Sequence, residues 1–357
     1  MTRFVWPLQL PLPAKLAAVV VVLVASQYHL WSKLSSGSVF SPEFPRVIVI
    51  LFNWAFGAII FIALMQLLLD AVTLLMMLFR SGMRAPDSVR YAIAAIAAVL
   101  AAIGVQHAIR VPPLNDIEIA IPDLPPQFDG YTMLQLTDLH ISRLFPEAWA
   151  RAVVEKSNVL DANLIVITGD LIDGSLAMRR DDVAPLRELR AADGVIAIPG
   201  NHEYFFGYRE WMTHFASMGM RLLENEHATI DRNGGQLVIA GVTDASARAT
   251  GHPGPDLAAA LIGAPAGAPI ILLDHQPRNT GRAAAAGAAL QLSGHTHGGM
   301  IVGLDRLAAR ANAGYVSGRY AVGSMTLYVN NGTALWPGFA LRLGRPSELT
   351  RITLRAR

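Results

Sequence analysis

The sequence predicts an α/β domain with two packed sheets, preceded by an all-α membrane segment. Three observations carry this. Three long apolar runs crowd the stretch before residue 110. From Thr132 onward short apolar runs alternate with helix-like segments, the pattern of a parallel sheet joined by helices. From Tyr315 to Leu354 the texture changes to short alternating segments, which reads as further strands and a second sheet.

The first apolar run, Leu12–Trp31, has the length of a membrane span; further spans follow it, which favours an uncleaved anchor over a signal peptide. The second, Val47–Phe79, is long for one span and short for two, and with no polar turn inside it fits one tilted helix better. Asp70 within it is read as lying near the interface or pairing with a neighbouring helix rather than marking an ion pathway. The third run is Tyr91–Ile109. Arg3 and Lys15, with Arg80, Arg84 and Arg90 between the second and third runs, place those sides in the cytoplasm. Three spans then put the large domain outside the cytoplasmic membrane. Residues 1–111 are assigned to this segment, 112–130 to a proline-rich linker and domain entry around a short strand-like stretch at Ile117–Ile121, and 131–357 to the domain itself.

Within the domain, strands are expected at 133–137, 164–168, 195–198, 269–273 and 289–292, and helices at 147–159, 182–190 and 208–218. Asn233-Gly234 signals a tight turn between a run ending near Ile230 and a strand at 237–240. Part of 255–262 reads as a helix, and Trp336 and Phe339 as core residues of the late strands.

The chain has 29 basic and 27 acidic residues and no basic block, so no nucleic-acid partner is indicated. It has no cysteine, which excludes disulfides, thiolate metal sites and cysteine nucleophiles. Five short polar motifs remain, most of them directly after a predicted strand. They are Asp138-Leu-His140, Gly169-Asp170-Leu-Ile-Asp173, Gly200-Asn201-His202-Glu203, Asp274-His275 and Gly294-His295-Thr296-His297-Gly298-Gly299. Loops that leave strands at one sheet edge can converge, and these carry the hard oxygen and imidazole donors that two divalent ions require. Asp170 is the natural shared carboxylate. Asp138 and His140, two residues apart, would share a face if the strand continued, and His295 and His297 repeat that spacing. Asn201 offers an amide oxygen and His275 an imidazole. Each motif alone is weak: Gly-Asp after a strand is common in ordinary turns, and Asn201-His202 also reads as a capping pair. The ordered set is what carries weight. His29, His107, His214, His227 and His252 have no such context and are read as surface or packing residues.

In order and spacing the five motifs resemble the calcineurin-like metallophosphoesterase superfamily, whose pattern is D-x-H, G-D-x-x-D, G-N-H-[DE], a lone H and G-H-x-H. With the membrane segment, the chain resembles the membrane-anchored branch, including bacterial wall-associated phosphodiesterases and transmembrane metallophosphoesterase-domain proteins. Met300 stands where members of that branch often carry Gln. The resemblance implies a four-layer α/β/β/α sandwich and a dinuclear phosphoesterase using manganese, iron or zinc. It implies that Asp138, His140 and His297 bind one ion, that Asn201, His275 and His295 bind the other, and that Asp170 bridges them. It makes His202 the general acid, and Asp173 a residue that orients a ligand, although Asp173 reads equally as a turn cap. The implied substrate is a phosphodiester, phosphomonoester or pyrophosphate, and the bilayer as partner makes a lipid-linked phosphate attractive. A metal-bearing membrane sensor or scaffold without catalysis is the alternative.

Overall fold

A computed structural model describes residues 2–79 and 85–356. The chain divides into two compact units, residues 1–108 with 337–342, and residues 109–336 with 343–357.

The first unit is helical. Its elements are α1 (Leu12–Ser26), α2 (Tyr28–Ser36), α3 (Arg46–Met77) and α4 (Asp87–Ile109). The expected single helix over the second apolar run is found: α3 runs 32 residues without a break. That is about 48 Å at helical rise, against a hydrocarbon core of about 30 Å. Both α3 and α4 are long and apolar enough to cross a membrane, and α1 with α2, bent by 52°, supplies a third candidate if the pair is one span. Asp70 pairs with Arg3 at 2.8 Å and accepts from Gln66. Arg80 and Arg84, invoked for orientation, lie outside the described residues.

The hexapeptide Pro337–Arg342 belongs to this helical unit, although the sequence places it among the late strands. The Pro337 carbonyl accepts from the Tyr28 hydroxyl and from Asn53 Nδ2, both at 2.8 Å, and Asn53 Oδ1 accepts from the Ala340 amide. Leu341 fills the space left by the absent side chains of Gly57 and Gly104. A buried Asn in an apolar helix needs such partners, and an irregular segment among helices needs its amides satisfied. Phe339 therefore sits in a short 3-10 turn against Phe56, not in a strand.

The second unit is the predicted α/β/β/α sandwich. One sheet has the order β1-β12-β2-β3-β4-β5, from β1 (Leu114–Ile121), β2 (Thr132–Leu136), β3 (Leu164–Thr168), β4 (Val195–Ile198), β5 (Arg221–Leu222) and β12 (Leu349–Ala356). β2, β3 and β4 pair in parallel, joined through α5 (Glu147–Asn158) and α6 (Leu176–Val183). α7 (Asn201–Phe205) and α8 (Tyr208–Ser217) follow β4. The other sheet has the order β10-β11-β9-β8-β7-β6. Its strands are β6 (Glu226–Arg232), β7 (Gly235–Gly241), β8 (Ile270–Leu273), β9 (Ala288–Ser293), β10 (Gly318–Val322) and β11 (Met325–Val329), with α9 (Leu257–Ala260), α10 (Thr280–Ala285) and α11 (Asp305–Ala311) in its connections.

The inward faces of the two sheets meet in one core: Met133, Leu164, Val166 and Ile352 from the first, Leu237, Ile239, Leu273 and Leu292 from the second. Ile165 and Ile167 alternate with these on β3 and are also fully buried, as expected of a parallel strand covered on both faces. The Asn233-Gly234 hairpin forms as expected, with Arg232 opposite Gly235 and both turn residues at positive φ.

The strand-like stretch in 112–130 is β1, whose Ile119 and Ile121 are buried and which pairs in parallel with β12. Two sequence expectations differ from the structure. The helix expected at 182–190 runs instead over α6 and tightens to 3-10 at Ala184–Glu188, where Pro185 removes a helical donor. The region 315–354 holds three strands, but between β11 and β12 it is a long irregular excursion.

Candidate metal centre

All five motif loops leave the carboxyl ends of parallel-paired strands, β2, β3 and β4 in one sheet and β8 and β9 in the other. That is where open α/β sheets gather ligands. The side chains converge into three donor groups in which nitrogen and carboxylate atoms lie within 4.8 Å of one another. They are Asp138/His140/His297, Asp170/His275/His295 and His140/Asp170/His202. Asn201 joins the second, its Oδ1 lying 3.1 Å from His275 Nε2 and 2.9 Å from His295 Nδ1. Asp274 joins none of the three groups.

The local backbone is unusual. Asp138, His140, Asp170, His295 and His297 all have φ between 42° and 68°, a region costly for residues with a side chain. This corrects the expected continuing strand: β2 ends at Leu136, and Asp138 and His140 project from a left-handed loop. Two glycines make the crowding possible. Gly169 has φ 93°, and a Cβ there would lie 2.7 Å from the Gly200 nitrogen. A Cβ on Gly294 would press into Thr137 Oγ1 and Asp138 Oδ2.

Each donor is held from behind. His140 Nδ1 bonds Asp173 Oδ2 at 3.0 Å, and His202 Nδ1 bonds the other Asp173 oxygen. One fully buried carboxylate thus fixes two imidazoles, in the manner of the outer partners of metal-bound histidines. His275 Nδ1 donates to the Thr168 carbonyl at 2.8 Å, which turns Nε2 toward Asp170 Oδ2 at 3.3 Å. The Asp138 carboxylate accepts from the His295 amide and from Thr137 Oγ1.

Two supports were not read from the sequence. The first is Glu203, fully buried, whose carboxylate accepts from the amides of Asp170, Leu171 and Gly200 at 3.0, 2.7 and 2.7 Å. It ties the Asp170 loop to the turn that carries Asn201 and His202. Its signal was present, since an acidic residue three after a helix cap can accept from the cap's own amide, the return half of a capping box. The second is Thr333-Ala334, whose amides donate to the carbonyls of Thr137 and Asp138. Nothing local in Asn330-Asn-Gly-Thr333 marks this.

The electrostatics follow from burial among opposed charges. Burial alone would raise Asp170, but the imidazoles of His275 and His202 outweigh it and hold its carboxyl well below the ordinary range. Burial opposes charge on His202, yet Asp170 and Asp173 lift it to about 9. Burial and the neighbouring His275 push His295 down to about 3, leaving it a neutral donor. Burial and Asp170 push Glu203 up to about 7.

The donor set fits divalent cations. His140 Nε2 is buried without a hydrogen-bond partner and lies 3.7 Å from Asp170 Oδ2 and 3.9 Å from Asp138 Oδ1. These gaps are too long for hydrogen bonds. A buried polar atom without a partner is costly, and a cation held by these donors would remove that cost.

Comparison with known proteins agrees with this chemistry. Residues 131–299 match the sequence profile of the calcineurin-like phosphoesterase family. The chain is 34% identical over 269 residues to the transmembrane protein with metallophosphoesterase domain of Danio rerio, covering 73% of this chain and 61% of that one. The Bos taurus protein of the same name is 34% identical over 274 residues, with the same coverage. The uncharacterized metallophosphoesterase YkuE of Bacillus subtilis (strain 168) is 31% identical over 241 residues, 65% of this chain and 82% of that one.

Proposed function

Because the chain belongs to the calcineurin-like phosphoesterase family, we propose that it is a membrane-anchored, dinuclear metal-dependent hydrolase of phosphate esters. The observation that carries this is the place of Asp170, shared between two of the three donor groups and facing the unpartnered Nε2 of His140. Asp138, His140 and His297 would hold one ion, and Asn201, His275 and His295 the other, with Asp170 between them. Oxygen and imidazole donors without thiolate suit manganese, iron or zinc. Bound there, such ions supply Lewis acidity and a water acidic enough to attack phosphorus at neutral pH.

The chain's own residues do the rest. Asp173 fixes Nδ1 of His202, so the opposite ring nitrogen, Nε2, is directed toward Asp170 at 3.9 Å. From there it can give a proton to the departing oxygen of the ester. Asp173 sets the direction of His140 in the same way and is a positioning residue for both. Glu203 keeps the backbone of the Asp170 loop in register, so that ligand and acid are placed together.

Purified full-length protein supplied with Mn²⁺ should hydrolyse bis-p-nitrophenyl phosphate, p-nitrophenyl phosphate or an aryl pyrophosphate. Failure on all three, repeated with iron and zinc, contradicts the reading.

We further propose that the catalytic domain lies outside the cytoplasmic membrane. The unbroken α3 supports this, because it makes three the number of spans when α1 and α2 count as one. Arg3, Lys15 and Arg90 then mark the inner side. A carboxy-terminal alkaline phosphatase fusion should be active and a fluorescent-protein fusion dark; the reverse places the site in the cytoplasm.

A further inference from the structure

Directly after the last metal-ligand candidate the sheet domain exposes apolar side chains that nothing in its own unit requires. Met300 donates its amide to the His297 carbonyl, and α11 packs on the turn His297–Gly299. In this stretch Val302 is 61% exposed, Leu304 40% and Leu307 59%. No residue of α11 is buried. Yet the stretch is patterned: the cap residue Leu304 with Leu307, Ala308 and Ala311 fall on one face at i, i+3, i+4 and i+7, and Arg306 and Arg310 fall on another. Neither arginine pairs with a carboxylate among the described residues, whereas Asp305 is neutralised by Arg345 at 2.6 Å. A short helix with an exposed apolar face and free cations beside it has the composition of a segment that lies in a membrane interface.

Continuity of the chain says which surface covers it. Met300 and Val302 exchange backbone hydrogen bonds with Leu343. The residue before Leu343 is Arg342, the end of the hexapeptide gathered into the unit that holds the membrane-length helices. The strand partner of this stretch therefore follows directly in the chain on a segment of the unit that carries the membrane-length helices.

Resting on the phosphoesterase reading above, we infer that Met300–Ala311 is a lipid-facing lip of the metal site, seated among the head groups of an anionic bilayer. The ester hydrolysed is then one carried on a membrane lipid. Val302, Leu304 and Leu307 enter the acyl boundary, Arg306 and Arg310 meet lipid phosphates, and the head-group phosphate reaches the donor groups at His297.

The test uses full-length protein in nanodiscs of phosphatidylcholine containing phosphatidic acid, a lipid monoester, and phosphatidylglycerol, a lipid diester. Leu304→Asp with Leu307→Asp should slow lipid hydrolysis by roughly 10-fold or more, since each leucine withdrawn from an apolar phase is worth about that factor. Rates on soluble aryl phosphates should be unchanged. Equal losses on both substrates, or undiminished lipid turnover, overturn the inference. Wild-type protein that cleaves aryl phosphates but neither lipid overturns it while leaving the phosphoesterase reading intact, whereas no turnover of any ester removes both. A second measurement does not depend on turnover. The chain has no cysteine, so Leu307→Cys carries a single fluorophore. Doxyl-labelled lipid should quench it strongly and should spare the same label at Val159→Cys, an exposed site far along the chain. Equal quenching at both positions contradicts the lip.

Discussion

Asp170→Asn should abolish turnover and lower the metal content of a protein that still folds. Asp170 is buried and lies 3.3 Å from His275 Nε2, 3.7 Å from His140 Nε2 and 3.9 Å from His202 Nε2. Among the described residues it is the only carboxylate that belongs to two of the donor groups. Two dications held about 4 Å apart repel strongly in a buried site, and the shared negative charge is what offsets that repulsion. Asn keeps the shape and leaves an oxygen to accept the His202 amide, now bonded at 2.8 Å, so the backbone need not rearrange. Elemental analysis, turnover and a thermal melt on the same preparation check this. Two ions retained with normal turnover would show that Asp170 does not bridge.

His202→Ala should behave differently. Both ions should stay, and kcat should fall by roughly 10²–10⁴, the range for a general acid or base. The loss should shrink as the leaving group improves, because a good leaving group needs little protonation. The structure also states the competing outcome. His202 shares a donor group with His140 and Asp170, so a ligand role is geometrically open. Metal loss in His202→Ala would assign it that role and would leave the departing oxygen without its proton donor.

The parts of the site that reach across the fold were legible because their chemistry is written in short motifs after apolar strands. Asp138, His140, Asp170, Asn201, His202, His275, His295 and His297 were all singled out in the sequence, and the fold brings them together. Their backbone was not legible. A residue at φ 42° to 68° looks like any other in a sequence, and only Gly169 and the glycines flanking the His295–His297 pair hinted at the crowding. Glu203 was quoted within its motif without a role, since a buried carboxylate that binds three amides cannot be told from a helix cap by spacing. The alternation of strand and helix gave the parallel core, but Pro185 displaced one helix and Pro337–Arg342 left the sheet domain for the helical unit. That excursion rests on Asn53 and on the gap at Gly57 and Gly104, contacts far apart in sequence. The helix α11 was not expected from the sequence because seven residues make only two turns, shorter than the window over which a helical period is read.

Metal stoichiometry against activity tests the central claim most directly. Full-length protein should be stripped with a chelator, titrated with Mn²⁺ and followed by elemental analysis and bis-p-nitrophenyl phosphate hydrolysis together. The expected result is two ions per chain, with turnover absent in the stripped protein and complete only when the second ion is bound. Full turnover with one ion or none would contradict a dinuclear centre bridged by Asp170.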